Sequence, residues 1–554
     1  MKDRAKKGIG VDSPRDQWQS IDWKAMRQRV RNLRYRIYRA TQEQAWNKVR
    51  SLMKLMLRSE ANLLMAIRRV TQENKGKNTP GIDGKSYRTN KERITLLKEM
   101  RQYDLWRARP ARRIYIPKKD GKTRPLGIPT MVNRVAQSIV KSALEPSWEA
   151  RFEANSYGFR PGRSTQDAMV HCWIYLNRRI HHGWVLDADI KGAFDNISHE
   201  FILSSIGNAP GHKLIERWLK AGYIEKDQFF STETGTPQGG IISPLLANIA
   251  LNGMQEVLPA GVGYVRYADD FLVTSRSKDE LETCVPKIEQ WLSQRGLSLN
   301  KEKTQIVFMK EGFNFLGFNV RHYRNGSCFI IPQKEKVLAF IQTIRDWIKK
   351  HKTIEPYAII RHLNPRIQGW ANYYRSFVSK RVFSYVKEQV WKQIWRWCLR
   401  RHPRKRATWI KKKYFMCFSG QDWVFFGMQP AEKGKKQVRL KQIHLTPIKR
   451  HIKVKGKASP DNPELKEYWE KRRVGLTKKR FDTKYHQKIA AQQNWRCPLC
   501  LGLLDCFGHE MQTEHLILSG NDNDKTEDKP RLYFYHKSCR LNRRTRLSLP
   551  STEA

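Results

Sequence analysis

The stretch GYVRYADDFLVT, which spans Gly263–Thr274, decides how this chain folds. Runs of β-branched and aromatic residues flank an Ala-Asp-Asp tip, and this pattern predicts a β-hairpin with two carboxylates at its turn. Adjacent aspartates repel each other unless a cation lies between them. Since aspartate is common in turns for structural reasons, the stretch taken by itself favours an ordinary turn.

The stretch WVLDADIKGAFD, Trp184–Asp195, is a second strand signal that ends in carboxylates and runs into a turn. Two strands that deliver acids to one place supply what a two-metal phosphoryl-transfer site needs, because Mg²⁺ takes oxygen ligands and holds both the attacking and the leaving oxygen. Asp187, Asp189 and Asp195 would share one face of an alternating strand, so periodicity does not decide which of them binds metal.

The composition indicates a large protein that binds nucleic acid. The chain has 554 residues, enough for several domains, and 106 Lys and Arg against 52 Asp and Glu leave a net charge of +54. So large an excess implies a polyanionic partner. Aromatic residues make up 11% of the chain, which argues against a simple disordered basic tail.

The cysteines and the apolar runs bear on the cellular setting. The nine cysteines are mostly scattered, which predicts reduced thiols in a cytosolic protein rather than a secreted disulfide framework. No run approaches the ~18 apolar residues of a membrane span. The first ten residues lack an apolar signal segment. We therefore expect a cytoplasmic, nucleoid-associated bacterial protein with no membrane partner, and an organellar address stays open.

The tip Tyr267-Ala268-Asp269-Asp270 is similar to the signature of reverse transcriptases, and the surrounding chain resembles a bacterial group II intron reverse transcriptase/maturase. Five further blocks occur in the family's order. They are RIYIPK (113–118), RPLGIP (124–129), NSYGFRPGR (155–163), GTPQGGIISP (235–244) and FLGF (315–318). One block would be weak evidence, whereas five in order around two acidic strands are specific.

The resemblance implies a multidomain α/β protein with right-hand polymerase fingers and palm, a helical thumb, a basic DNA-binding region and a small zinc-stabilised ββα module of the HNH type. The expected domains are an N-terminal basic extension (1–80), the reverse transcriptase fingers and palm (81–330), the maturase thumb (331–403), the DNA-binding region (404–482) and the HNH-like module (483–554).

RNA-templated DNA synthesis is the reaction that the resemblance implies. Asp189, Asp269 and Asp270 would bind two Mg²⁺ ions while a primer 3′-hydroxyl attacks the α-phosphate of a dNTP. The resemblance selects Asp189 because the family's ligand precedes Ile-Lys-Gly-Ala-Phe. It places a set of residues around the incoming nucleotide, namely Lys118, Arg124, Ile190, Phe194 and Gln238.

Phe194 and Lys303 each allow two interpretations. Phe194 falls at the family's steric gate, where a bulky ring excludes a ribose 2′-hydroxyl, and a plain core phenylalanine is the other interpretation. The two roles are compatible, since a gate must be rigidly packed. Lys303 would neutralise charge on the leaving group, or be an ordinary solvated lysine.

Two basic segments are expected to bind nucleic acid. A helix pattern from Trp23 carries Arg27, Arg31 and Arg34; the alternative is a solvated amphipathic helix, but arginine pairs with phosphate bidentately and the resemblance favours intron RNA. Residues 396–413 hold nine basic residues, no acid, and the interleaved Trp397 and Trp409. Target DNA is the expected partner there. The candidate contacts are Arg400, Arg401, Arg404, Lys405, Arg406, Lys411 and Lys412, and residues 434–480 are expected to be loosely structured.

The C-terminal part contains a Cys-x-x-Cys…His-x-x-Cys pair of knuckles. This spacing predicts one tetrahedral structural zinc site. The expected ligands are Cys497, Cys500, His536 and Cys539, with Cys506 as a substitute.

The frame around the knuckles resembles an HNH endonuclease but departs from its pattern. Glu514 and His515 stand where paired histidines are expected, which leaves His515 as general base and Glu514 as a metal ligand. Arg531 replaces the central asparagine and Arg540 replaces a histidine. Arginine carries a fixed charge and no acceptor, so it would repel Mg²⁺. We expect a zinc module that binds DNA, with nuclease activity lost or weak.

Two rival functions stay open. A splicing-only maturase without polymerase activity should show broken carboxylates, whereas Asp189, Asp269 and Asp270 all stand. A related reverse transcriptase that serves defence or diversification is disfavoured by the thumb-like RIQGWANYY block (366–374) and by the HNH frame.

Overall fold

The structure is a computed structural model. It describes residues 18–102, 107–117, 121, 123–177, 182–323, 326–431, 434–478, 481, 484–498, 503–504, 511–516 and 531–536. Of the helices in these ranges, none combines the length and the apolar character needed to cross a membrane.

Three N-terminal helices pack on a long fifth helix, and the fourth packs on the third. Asp22 caps the first helix by accepting from the amides of Lys24 and Ala25. Ile37 and Ala40 of that helix are fully buried in a core shared with the fifth helix. The helices are α1 (Trp23–Gln42), α2 (Trp46–Leu57), α3 (Glu60–Arg68), α4 (Asn90–Gln102) and α5 (Met131–Arg151), with a π turn at Arg69–Glu73 and a 3₁₀ turn at Lys75–Asn78.

A four-stranded sheet, the fingers sheet, has the strand order β2-β1-β4-β5. Its strands are β1 (Ala111–Pro117), β2 (Thr123–Ile128), β4 (Tyr223–Glu225) and β5 (Gln228–Phe230). β1 and β2 pair antiparallel from Arg112↔Ile128 to Pro117↔Thr123. β1 and β4 run parallel.

A second sheet, the palm sheet, has the antiparallel order β6-β7-β3-β8 and is buried on both faces. Alternate side chains enter two cores: Phe271 and Val273 join the core of the N-terminal helices, whereas Leu272 joins the core that continues into the later helices. The strands are β3 (Trp184–Asp189), β6 (Gly263–Tyr267), β7 (Asp270–Ser275) and β8 (Gln305–Phe308). The helices beside them are α6 (Thr165–Leu176), α7 (Ala193–Asn196), α8 (His199–Ile206), α9 (His212–Leu219), α10 (Ser243–Ala250) and α11 (Lys278–Ser293), with a 3₁₀ turn at Met254–Val257.

Three helices follow a small antiparallel sheet, at the position expected for the thumb. Phe318 of the sheet stacks on Tyr373 and meets Tyr374 edge-on, which joins the sheet to the second of these helices. The strands are β9 (Phe313–Phe315), β10 (Phe318–His322) and β11 (Cys328–Pro332), and the helices are α12 (Lys334–Lys350), α13 (Pro356–Tyr374) and α14 (Lys380–Arg401).

The expectation of a loosely structured segment after residue 434 is wrong for the described residues up to 478. β12 (Phe415–Phe418), β13 (Gln421–Pro430) and β14 (Lys435–Arg439) form a sheet after α15 (Ala407–Tyr414). A 3₁₀ turn at Ile443–Leu445 follows. Residues 446–478, here called the strap, then return to α1 and α6, and they include a 3₁₀ turn (Pro463–Leu465) and α16 (Lys466–Lys478).

Ion pairs and close packing hold the strap in place. Asp461 pairs with Arg34 of α1, and His451 and Arg472 both pair with Asp167 of α6. Trp469 packs so closely on Gly162 that a Cβ there would overlap its ring. Beyond the strap, the structure describes α17 (Lys484–Gln492) and an antiparallel pair, β15 (Met511–Leu516) with β16 (Arg531–His536).

Candidate active site

The hairpin predicted at the Ala-Asp-Asp tip is confirmed. β6 ends at Tyr267 and β7 begins at its partner Asp270, which leaves Ala268 and Asp269 as a two-residue turn. Ala268 has a φ of 61°, in the left-handed region that such tight hairpin turns require.

Register brings the second acidic strand to the same point. Asp189, the last residue of β3, is the direct cross-strand partner of Asp270. The amide of Ile190 donates to the carbonyl of Asp269 at 3.3 Å, which ties the end of β3 to the turn. The three aspartates predicted as metal ligands therefore lie together at one end of the palm sheet.

The expectation that Asp195 lies on the same strand face is wrong. Gly192, with a φ of 55°, turns the chain away from β3, and Asp195 lies on the short helix α7. Asp187 does share a face with Asp189, since it lies two residues earlier on the strand.

The carboxylates lie close to one another, and nearby cations compensate their charge only in part. Burial and the neighbouring carboxylates of Asp269 and Asp189 raise the pKa of Asp270 to about 7. Burial, followed by the charge of Asp189, raises the pKa of Asp187 to about 7. Lys303 Nζ lies 2.7 Å from Asp189 Oδ2. This oxygen-rich excess of negative charge fits a divalent cation.

The side chains are nonetheless not gathered around one point. The described ranges contain no group of three or more His, Cys, Asp or Glu side chains arranged to hold a metal ion. Asp189 Oδ2 instead accepts from Lys303 and, at 3.2 Å, from Asn300. The assignment of Asp189, Asp269 and Asp270 as Mg²⁺ ligands stays a prediction.

A buried arginine supports the hairpin, and the sequence analysis missed it. Arg266 on β6 is 0% exposed. Its Nη1 donates at 3.2 Å both to the carbonyl of Ala268 and to Asn248 Oδ1. Asn248 in turn donates to the carbonyl of Gly158, where a Cβ would overlap Ala268. An arginine inside an otherwise apolar strand was the available signal, because such a charge needs a specific partner.

Part of the predicted nucleotide site assembles beside the carboxylates. Arg124 Nε donates to Gln238 Oε1 at 2.7 Å, and Gln238 Nε2 lies 3.3 Å from Asp195 Oδ2. Arg124 lies close enough to the carboxylates for its charge to lower the pKa of Asp269, although burial leaves that pKa raised overall. Lys118 lies outside the described residues.

Phe194 has the packing that a steric gate requires. It is 8% exposed and meets Phe159 edge-on, with ring centroids 6.0 Å apart. Ile190, which was also predicted to contact the nucleotide, is 1% exposed. The prediction that the Ile190 side chain contacts the nucleotide is wrong. The side chain points into the core because it continues the alternation of β3.

The predicted RNA-binding arginines of α1 differ in their exposure to solvent. Arg27 is exposed and Arg31 is half-buried, with its guanidinium 6.0 Å from the Tyr35 ring. The expectation that Arg34 contacts RNA is wrong. Its guanidinium pairs with Asp461 at 2.6 Å and Glu145 at 2.9 Å, and these carboxylates outweigh burial in raising its pKa.

The residues predicted to contact DNA, at the end of α14 and after it, also differ in their exposure to solvent. Arg401 donates to the carbonyls of Thr353 and Ile354 and to Glu355, so it fixes the start of α13 rather than facing DNA. Trp397 is 1% exposed and cannot stack on a base, whereas Trp409 is 38% exposed. The other predicted contacts are exposed, namely Arg400, Arg404, Lys405, Arg406, Lys411 and Lys412.

Several of the predicted zinc and nuclease residues lie outside the described residues. Cys497 is buried, but Cys500, Cys506, Cys539 and Arg540 lie outside the described residues. Glu514 and His515 lie on β15, and Arg531 and His536 lie at the two ends of β16. The zinc site stays a prediction.

Sequence comparisons point to the same chemistry as this geometry. Residues 116–320 match the family described as "Reverse transcriptase (RNA-dependent DNA polymerase)". Residues 18–100 match its N-terminal domain, and residues 337–415 match the "Group II intron, maturase-specific domain".

Two curated relatives are similar to about half of the chain. Protein YkfC of Escherichia coli is 33% identical over 49% of this chain and 83% of its own length. The group II intron-encoded protein LtrA of Lactococcus lactis is 29% identical over 57% of this chain and 69% of its own length. Among solved structures, a telomerase from Candida albicans aligns with 55% of this chain and 67% of its own at 11% identity and a TM-score of 0.31. With its reverse transcriptase and maturase domains, this RNA-directed DNA polymerase belongs to the group II intron reverse transcriptase/maturase family.

Proposed function

We propose that the chain copies RNA into DNA at Asp189, Asp269 and Asp270, and that it binds group II intron RNA, assists splicing, and inserts the intron into target DNA by target-primed reverse transcription. The observation that carries the proposal is the register of β3 against β7. It sets Asp189 opposite Asp270 at the end of a sheet whose turn bears Asp269.

The residues around the carboxylates have distinct tasks in this proposal. Two Mg²⁺ ions held by the aspartates would supply charge neutralisation for the triphosphate and a more acidic primer hydroxyl. The exposed guanidinium of Arg124 suits a phosphate of the incoming dNTP. Gln238, fixed between Arg124 and Asp195, would orient the nucleotide, and the packed ring of Phe194 would exclude a 2′-hydroxyl.

We assign the partners to separate surfaces. Arg27 and Arg31 on α1 would contact intron RNA, and the exposed basic residues from Arg400 to Lys412 would contact target DNA. The proposed domain boundaries are 1–80, 81–330, 331–403, 404–482 and 483–554. The last of these would be a zinc module of the HNH type that binds DNA and cleaves it weakly or not at all.

The test is primer extension on an RNA template with Asp270→Asn. This variant keeps the size of the side chain and removes its charge, so we expect loss of Mg²⁺-dependent extension by several orders of magnitude. Asp279→Asn, on the exposed first turn of α11, is the matched control and should extend normally.

Splicing of intron RNA, measured with the same preparations, separates the two activities. We expect Asp270→Asn to support splicing like the unsubstituted protein, because RNA binding uses other surfaces. Full extension by Asp270→Asn would contradict the polymerase assignment, and loss of splicing in a folded variant would contradict the separation. A splicing-only maturase has less support, because all three carboxylates are present.

A further inference from the structure

The fingers sheet exposes large apolar side chains on both of its faces. One face carries Ile116 and Phe229, which are 46% and 60% exposed. The same face carries Arg124, the cross-strand partner of Ile116, whose charge reaches Asp269. This face therefore turns toward the polymerase site, and its exposure is explained by that site.

The opposite face, here called the aromatic face, is defined by Arg113, Tyr115, Tyr223 and Phe230. Tyr115 and Phe230 are 47% and 39% exposed. Tyr223 and Phe230 are cross-strand partners whose rings stack 5.2 Å apart, and Arg113 lies over the Tyr223 ring at 3.7 Å. Such a row of exposed aromatic rings on one sheet face is unusual unless something binds there.

A basic pocket adjoins the strands that carry this face. Because β1 and β4 run parallel, the segments before them reach the sheet at the same end, where the amide of Ala111 donates to the carbonyl of Gly222. The pocket has a volume of about 750 Å³. Its lining consists of Arg107, Ala108, Arg109, Glu216, Arg217 and Lys220.

The charges on this surface favour an anion. Four cationic side chains line the pocket against one carboxylate, Glu216, which pairs with Lys220 at 2.9 Å. On the aromatic face itself, Arg113 is matched by Glu225, which accepts from the Tyr115 hydroxyl at 2.9 Å. The surface as a whole therefore keeps an excess of positive charge from the pocket. The pocket lies about 17 Å from Ile116 along β1, so it is separate from the polymerase site.

We propose that the aromatic face and the basic pocket together bind single-stranded RNA. Phosphates would lie in the pocket and unpaired bases would stack on the rings, which is the combination that single-strand binding surfaces use. Duplex RNA would present only phosphates to this surface, because its bases are paired and stacked internally. The inference does not depend on the carboxylates, and it is testable without Mg²⁺.

The first experiment measures binding of a fluorescent oligouridylate to the full chain and to Tyr115→Ala/Phe230→Ala. Stacking on two rings predicts binding about 25- to 10⁴-fold weaker, because each stacked base contributes about 5- to 100-fold and the two contributions multiply. Tyr385→Ala changes a similarly exposed ring, 43% exposed on α14 and outside the fingers sheet, and should bind like the unsubstituted chain. Since all three rings are exposed, melting temperatures should stay unchanged.

The second experiment separates charge from stacking. Arg217→Gln/Lys220→Gln should reduce the slope of log affinity against log salt by about 1.4, the value for two lost phosphate contacts on a single strand. Glu216→Gln should strengthen binding instead, since it removes the pocket's carboxylate. A simple basic patch would not respond to the ring substitutions.

A chain with a net charge of +54 is expected to bind RNA at several places. Photocrosslinking identifies which residues contact the bound oligonucleotide. A 4-thiouridine oligonucleotide should crosslink to the peptides that carry Tyr115 and Phe230, and competing oligouridylate should remove the crosslinks while duplex RNA does not. Crosslinks confined to other peptides would overturn the proposal. Equal affinity of the ring variant, or preference for duplex RNA or for oligodeoxyuridylate, would also overturn it.

Discussion

Asp167 on α6 forms three hydrogen bonds to the strap. It is 0% exposed. Its Oδ1 accepts from His451 Nε2, Arg472 Nη2 and the amide of Val454, all at 2.8–2.9 Å. Its Oδ2 accepts from the amide and hydroxyl of Ser164 and so caps α6. The Asp167 carboxylate therefore caps the start of α6 and also binds a segment almost 300 residues later in the chain.

We expect Asp167→Ala to release the strap. Removing one partner of a buried, hydrogen-bonded charge cluster costs about 3–5 kcal/mol, since the remaining charges stay buried without compensation. That cost would raise the equilibrium constant for opening of the strap by about 10²- to 10⁴-fold. Amide hydrogen exchange of residues 450–458 should accelerate by this factor under native conditions, and trypsin should cleave at Lys453, Lys455 or Lys457.

The pH dependence follows from the same contacts. Burial opposes ionisation, but the hydrogen bonds from His451 and Ser164 and the charge of Arg472 leave the pKa of Asp167 below its usual value. A group with a lowered folded-state pKa stabilises the fold above its unfolded pKa, near 4, and loses that contribution as pH falls through the folded value. Strap exchange should therefore accelerate in acid below about pH 4, and Asp167→Asn should lack this step.

Asp279→Asn is the control, because Asp279 lies exposed at the start of α11. Exchange in the strap that is the same in Asp167→Ala, Asp279→Asn and the unsubstituted chain would refute the reasoning. It would mean that Arg34–Asp461 and Trp469 hold the strap without Asp167.

Phe194→Ala should raise incorporation of rNTPs relative to dNTPs by about one to two orders of magnitude, because the packed ring excludes the 2′-hydroxyl; an unchanged ratio would place the gate elsewhere. Arg266→Met should lower kcat for extension by about 10²-fold through misplacement of the Ala268–Asp269 turn, whereas Arg93→Met, at a buried arginine among the N-terminal helices, should cost stability without that loss of kcat. Metal analysis should find about one zinc per chain, reduced by Cys497→Ala, and a second-strand nicking assay should show little cleavage; efficient nicking would contradict the weak-nuclease assignment.

The parts of the site that the sequence predicted are those encoded by local patterns. The hairpin turn at Ala268 and Asp269 follows from two apolar runs around a polar tip, and the strand before Asp189 from its β-branched and aromatic residues. The proximity of Asp189 to Asp269 and Asp270 is what the family resemblance implies, since no local pattern specifies which strands are neighbours.

The errors have a common physical cause. Arg34, Arg401 and Trp397 lie in segments with a basic pattern, and a pattern cannot show which basic or aromatic side chains face a partner within the same chain. Arg34 meets Asp461 across 427 residues, and Arg401 meets Glu355 across 46. The strap was missed for the same reason, because long-range ion pairs and the packing of Trp469 on Gly162 hold it in place.

The ion pair between Arg34 and Asp461 also limits how early this part of the fold can form during translation. Glu145 leaves the ribosome 111 residues after Arg34, whereas Asp461 follows 427 residues after it. At roughly 5–20 residues per second, the arginine waits roughly 20–85 s for its second carboxylate. During that interval Asp167 also lacks His451 and Arg472, so the nascent polymerase passes through a period in which its strap-binding surface is open to chaperones and proteases. A chain that pauses between residues 167 and 451 would prolong this exposure.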